Sequence, residues 1–150
     1  MMLQSTVNKR KKIDLSSAPW TMHEFFAGSG LVAYGLKGMF APVWANDISA
    51  QKATVYKANF GDDHFELDDI KNVKGNDLPF ANLSWASFPC QDLSLAGAIG
   101  GIHAERSGLV WEWLRVLDEM ERKPKILLLE NVAGLSLIHI SEPTRLDVIS

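Results

Sequence analysis

The feature that most constrains the fold is a glycine-rich turn set between an apolar run and a helical one near the start of the chain. Thr21 to Phe26 reads as a short strand that breaks into Ala27, Gly28, Ser29 and Gly30, and Leu31 to Met39 follows as a helix ended by Gly38. The alternation then repeats. Pro42 to Ala45 predicts a second strand, followed by a helix from about Ser49, a good N-cap, to Phe60, with Gly61 just past its end. His64 to Leu67 is a weaker third strand inside the acidic cluster Asp62, Asp63, Glu66, Asp68 and Asp69, and Leu83 to Phe88 is a fourth. Leu109, Val110, Trp113, Val116, Leu117 and Met120 fall on one helical face. Ile126 to Leu129 is a continuous apolar run of the kind expected of a strand buried on both faces. Strands separated by helices require right-handed crossovers and an open, mostly parallel sheet. The expected class is doubly wound α/β.

Composition narrows the chemistry. A chain of 150 residues, 47% hydrophobic and 22% charged, suits one soluble globular domain. No apolar run approaches the ~20 residues of a membrane helix, and the start is polar and basic rather than signal-like, so a cytoplasmic setting is expected. Cys90 is the only cysteine, which excludes an internal disulfide and a multi-thiolate zinc site. His23, His64, His103 and His139 never share a helical face, so no metal is expected. The formal charge is −3. Residues 1–19 read as a flexible arm carrying Lys9, Arg10, Lys11 and Lys12, a solvated tail in preference to a phosphate contact. Leu135 to Arg145 resembles the in-frame translation of a transposon-end adaptor used in short-read library preparation. Residues 135–150 are therefore expected to be non-native, and the natural chain is expected to continue past Gly134.

Three places carry chemistry. The turn from Phe26 to Gly30 sits where a doubly wound sheet binds nucleotide-like ligands, with glycines that let the backbone approach a ligand closely. Asp47, 19 residues after Gly28, ends the second strand, where a carboxylate accepts from both hydroxyls of a ribose or else caps the helix beginning near Ser49. Asp69 and Ile70 follow the third strand at the same rim, facing an adenine amino group or belonging to a solvated acidic patch. The fourth strand ends in Pro89, Cys90 and Gln91 before a loop with Gly97, Gly100 and Gly101, a position suited to a nucleophile. The fifth ends in Glu130, Asn131 and Val132, a carboxyl and an amide at the same edge.

In this order, with Ser94 and the Arg106-Ser107-Gly108 segment included, these motifs resemble the cytosine-5 DNA methyltransferases over roughly Trp20 to Gly134. The resemblance implies a Rossmann-like fold that binds S-adenosylmethionine. Phe26, Ala27, Gly28, Ser29, Gly30 and Leu31 would hold the methionine end, Asp47 the ribose, Ile48 the adenine face and Asp69 the adenine amino group. Ile70 and Pro89 would complete the pocket. Asp47 and Ile48 depart from the family's usual glutamate and aromatic residue, so weaker cofactor binding is expected. Cys90 would be the nucleophile, with Glu130, Asn131 and Pro89 as catalytic partners. Glu130 would serve at ring nitrogen 3, a task it suits if burial raises its pKa. Gln91, Ser94 and Arg106 would contact DNA, from which the target base is flipped out. A monomeric enzyme of prokaryotic or phage origin is expected, with DNA as partner and no membrane or metal. Further family motifs lie beyond the Glu-Asn-Val segment, so this polypeptide alone is expected to have little methylation activity. An RNA cytosine-5 methyltransferase, a catalytically silent regulatory module and a nicotinamide oxidoreductase are the competing readings.

Overall fold

The computed structural model describes residues 12–14, 17–89 and 108–130. Five strands form one sheet: β1 (Trp20–Phe25), β2 (Phe40–Asp47), β3 (Phe65–Leu67), β4 (Leu83–Ser87) and β5 (Ile126–Glu130). The helices are α1 (Leu31–Gly35), α2 (Ala50–Phe60) and α3 (Gly108–Glu119), and single 3-10 turns occupy Ile70–Asn72 and Gly75–Asp77. All strand pairs are parallel, in the order β3-β2-β1-β4-β5. The chain therefore winds outward from β1 to β3, then restarts on the other side of β1. That reversal between β1 and β4 is a topological switch point, whose crevice lies outside the carboxyl ends of the strands.

The period-2 alternation of β1 builds both layers. Met22 packs with Ala33, Ala45, Tyr56, Phe60 and Leu83 in a core that includes α1 and α2. Phe25 joins the second core, with Trp44, Ala86, Trp113, Val116 and Leu117, on the side of α3. Trp113 Nε1 donates to Ser84 Oγ at 3.0 Å, which satisfies both polar groups in that core. Arg115 of α3 donates to the carbonyls of Ile70 and Val73 at 3.2 and 3.1 Å while paired with Glu112 and Glu119. The helix thus grips the segment that leads out of β3.

The doubly wound class is as expected, and several details differ. The second strand extends beyond Pro42–Ala45 at both ends, and its register against β1 slips between Met22 and His23. Pro42 is tolerated there because β3 pairs only with Ala45–Asp47, so its missing N–H breaks no bond to that neighbour. The first helix stops at Gly35 rather than Met39, and Gly38, at φ 84°, turns the chain into β2. β4 ends at Ser87, one residue short of Phe88. The fifth strand departs most: Ile126 to Leu129 are 38–53% exposed instead of buried on both faces. Among the described residues β5 is the end strand with β4 as its partner, and α3 packs over the two 3-10 turns rather than across it.

One glycine shows how close that packing is. A Cβ on Gly75 would lie 3.0 Å from the Met120 nitrogen and 2.8 Å from Glu119 Cβ, with the Val116 carbonyl closer still. Backbone cannot swing aside as a side chain can, so Gly75→Ala is expected to cost about 1–3 kcal/mol of stability, read as a lower urea midpoint. An unchanged midpoint would mean that α3 is not seated on this turn.

Candidate active site

The turn after β1 is held in a conformation that few residues adopt. Phe26, Gly28 and Gly30 have φ of 56°, 58° and 86°. For Phe26, a bulky residue in the left-handed region, this is local strain of about 1–2 kcal/mol that its surroundings must hold. Those surroundings are explicit. Ala27 N–H donates to the Asn46 carbonyl at 2.8 Å, Gly30 N–H to the Ala27 carbonyl at 3.0 Å, and the Phe26 ring meets Phe88 edge-on at 6.5 Å.

Asp47 fastens the turn to the second crossover. Its Oδ2 accepts from Gly28 N–H and its Oδ1 from Ser49 N–H, both at 2.8 Å, and the residue is 6% exposed. Ser49 in turn caps α2, with Oγ accepting from Lys52 N–H at 3.4 Å. A carboxylate offers about four lone-pair sites. Two are used here, and two remain for a ligand.

A cavity of about 300 Å³ opens beside Asp47. Its wall combines the acids Asp47, Asp68 and Asp69 with apolar Phe26, Ile48, Ile70, Pro89 and Leu109. The far side is fixed through Asn46, a buried amide on β2 whose Nδ2 donates to the Asp68 carbonyl at 2.7 Å. Asp68 Oδ1 accepts from Asp69 N–H, and Asp69 Oδ1 accepts from Lys71 N–H at 3.0 Å, capping the 3-10 turn. Register places Glu66, Asn46, Phe25, Ala86 and Leu129 in one row across the sheet. Asp47, Ser87 and Glu130 stand one residue further toward the carboxyl rim. At ~4.8 Å per strand, Asp47 and Glu130 are separated by about 14 Å, with the end of β4 between them.

The sequence profile of C-5 cytosine-specific DNA methylases matches residues 20–144. The chain belongs to this family. Over 113 residues it is 38% identical to the Type II methyltransferase M.Bsp6I of Bacillus sp. (strain RFL6), covering 73% of this chain and 35% of that one. Over 116 residues it is 34% identical to the Type II methyltransferase M.BsuFI of Bacillus subtilis, covering 77% and 27%. The crystal structure of Schizosaccharomyces pombe Dnmt2 methyltransferase superposes with a TM-score of 0.62 at 25% identity, covering 78% of this chain and 35% of that one. The chain thus spans about a third of the length of these relatives.

In this methylase-family chain the expected cofactor residues Phe26, Asp47, Ile48, Asp69, Ile70 and Pro89 share one cavity wall. Ala27, Gly28, Ser29, Gly30 and Leu31 do not line the cavity, although Gly28 is bonded to Asp47 at its edge. Of the two roles weighed for Asp47, the helix-start contact is present, with Ser49 N–H donating to Oδ1. Glu130 is exposed at the end of β5, the end strand among the described residues. Cys90, Gln91, Ser94, Arg106 and Asn131 lie outside the described residues. Among the described residues no group of acids and histidines is arranged to hold a metal, and no helix is long and apolar enough to cross a membrane.

Sequence reading missed three polar residues that shape this end of the sheet. Lys52 lines the cavity from the first turn of α2, a position the Ser49 cap could have flagged. Glu24, inside a strand read as apolar, and Asn46, just past the expected end of the second strand at Ala45, are each 1% exposed. Burial pushes the Glu24 carboxyl up to about 8, against hydrogen bonds from Ala33 N–H and the Tyr56 hydroxyl that favour the charged form. His23 is lowered by burial, its Nε2 bonded to the Pro79 carbonyl at 2.7 Å, and His64 is lowered by burial in spite of Asp63. The Pro79 contact requires the proton on Nε2, leaving Nδ1 as a bare acceptor with no partner among the described residues.

These shifts give stability a defined pH dependence. Between its ordinary 4.5 and about 8, Glu24 keeps its proton when folded and loses it when unfolded, so its contribution falls as pH rises. The slope is at most about 1.4 kcal/mol per pH unit. The two histidines act oppositely, their neutral folded forms adding stability as pH climbs through the ordinary histidine range. Glu24→Gln is therefore expected to match the parent near pH 5 and exceed it in stability at pH 8. Urea titrations at both values check this, and parallel losses at both would contradict a protonated Glu24.

Proposed function

We propose that the chain is the cofactor-binding and catalytic part of an enzyme that methylates carbon 5 of cytosine in DNA, with S-adenosylmethionine as donor. The observation that carries this reading is Asp47, with acceptor capacity beyond its two backbone donors, lining a cavity at the switch point of a methylase-family fold. The residues fit the cofactor by chemistry. A carboxylate suits a ribose diol, apolar Ile48 and Ile70 suit the faces of a purine, and Asp69 supplies an acceptor for an amino group. Once bound, the cofactor supplies a methyl group on a positively charged sulfur.

The remaining work belongs to side chains at the rim. Carbon 5 of cytosine is a poor nucleophile, so Cys90, the chain's only thiol, adds to carbon 6 as the thiolate. The ring double bond shifts its electrons toward carbon 5, and Glu130 hydrogen-bonds or protonates ring nitrogen 3, with Asn131 orienting the carboxyl or the base. After the methyl group arrives, loss of the carbon-5 proton to a base restores the double bond and expels the Cys90 thiolate, and a proton placed on ring nitrogen 3 returns to Glu130. Pro89, on the cavity wall, directs the chain toward this chemistry, and Gln91, Ser94 and Arg106 contact the DNA. The reading makes the protein a cytoplasmic, monomeric enzyme that needs no metal. The naming of its relatives as Type II methyltransferases supports a role in restriction-modification. It also treats residues 135–150 as foreign to the domain.

A graft tests the chemistry. Residues 20–134 placed in the matching segment of the Bacillus sp. relative should form a denaturation-resistant adduct with duplex DNA carrying 5-fluorocytosine, and Cys90→Ser should form none. An adduct that survives Cys90→Ser would overturn the assignment. Preference for transfer RNA over duplex DNA as methyl acceptor would favour the RNA reading.

A further inference from the structure

Beneath the glycine turn lies a polar contact that the proposed reaction does not use. Glu24 points from β1 into the core of α1 and α2, where its Oε1 accepts from Ala33 N–H at 3.4 Å and its Oε2 lies 3.4 Å from the Tyr56 hydroxyl. That hydroxyl is also 3.2 Å from His64 Nε2. Tyr56 in turn forms the floor of the turn, because a Cβ on Gly30 would lie 2.9 Å from its Cδ2. One carboxyl therefore bridges the strand before the turn, the helix after it and the helix under it.

We propose that Glu24 is a positioning residue for the cofactor, its buried carboxyl holding the Gly28–Gly30 turn and the first turn of α1 in register with Tyr56 so that the turn is preformed for the ligand's amino-acid end. This rests on the cofactor reading given above. Preorganisation of this kind raises affinity by removing an ordering cost at the moment of binding.

The proton arrangement follows from the neighbours. On the strands beside it Glu24 pairs with Ala45 and Trp85, neither of which carries charge. From α1 it meets a backbone N–H, and from α2 and the segment after it Tyr56 and, beyond that, His64. With Glu24 neutral, its O–H donates to Tyr56 and Tyr56 donates to a neutral His64 Nε2, so each proton has an acceptor. Once Glu24 ionises, Tyr56 must turn back to the carboxylate and His64 loses its donor. The turn should loosen as this happens, and ligand affinity should fall with rising pH.

Calorimetric titration of the full chain with S-adenosylhomocysteine from pH 6.5 to 9 tests this. The parent should weaken by about tenfold across the range, a change of about 1.4 kcal/mol. Glu24→Gln should bind like the parent at the low end and stay flat, and Glu24→Leu should be weak throughout, with faster amide exchange at Ala33. A folded Glu24→Leu that binds like the parent would overturn the proposal while leaving the cofactor reading intact, as would a parent-like slope in Glu24→Gln. If the unsubstituted chain binds no S-adenosylhomocysteine at any pH, the cofactor reading fails and takes this inference with it.

Discussion

Gly30→Ala should be far more damaging than Gly28→Ala, although the two glycines lie two residues apart in the same turn. Both have positive φ, at 86° and 58°, so each substitution carries about 1–2 kcal/mol of backbone strain. They differ in what a new methyl group meets. At Gly28 the nearest atom is Lys52 Cδ at 3.9 Å, an ordinary contact with a flexible chain. At Gly30 the methyl would press into the rings of Phe60 and Tyr56, the latter 0% exposed and packed against Phe65 at 4.7 Å between ring centroids. Overpacking there adds about 1–3 kcal/mol, so Gly30→Ala should lose about 2–5 kcal/mol in all. Thermal or urea unfolding of the two variants side by side checks the difference. Equal losses would mean that the aromatic floor does not support the turn.

Asp47→Ala should abolish most cofactor affinity. Each hydrogen bond from a hydroxyl to a carboxylate contributes about 1.5–3 kcal/mol, so losing two corresponds to at least about a 100-fold rise in Kd. The substitution also strips partners from Gly28 N–H and Ser49 N–H, which loosens the turn and the start of α2 together. Asp47→Asn is no milder control. Its amide nitrogen must face one of those two N–H donors, so it too should lose stability and affinity. Titration with S-adenosylhomocysteine measures the first effect, and urea unfolding the second. A folded Asp47→Ala with parental affinity would remove Asp47 from the ribose position.

Much of this arrangement was legible from residue order. Ser49 and Gly61 bound α2 as their side-chain chemistry dictates, and the apolar face of the third helix yielded Trp113, Val116 and Leu117 as core. The alternation of strands with helices gave the parallel sheet. The misses have physical causes. Gly38, at positive φ, permits a turn where periodicity continued a helix, and Pro42 sits in β2 without breaking a bond to β3, which pairs only with Ala45–Asp47. Among the described residues β5 has the composition of a central strand but the position of an edge, and position depends on what packs beside it. Glu24 and Asn46 escaped notice because burial of a polar side chain is decided by partners distant in sequence, such as Tyr56 32 residues away and the Asp68 carbonyl 22 residues away.

The central claim is that the cavity beside Asp47 receives the nucleoside end of S-adenosylmethionine. A crystal structure of the chain with S-adenosylhomocysteine tests it most directly. The account predicts both ribose hydroxyls on the Asp47 carboxylate, the adenine ring between Ile48 and Ile70, and its amino group at Asp69. Ligand bound elsewhere on the molecule, or an empty cavity at saturating ligand, would contradict it.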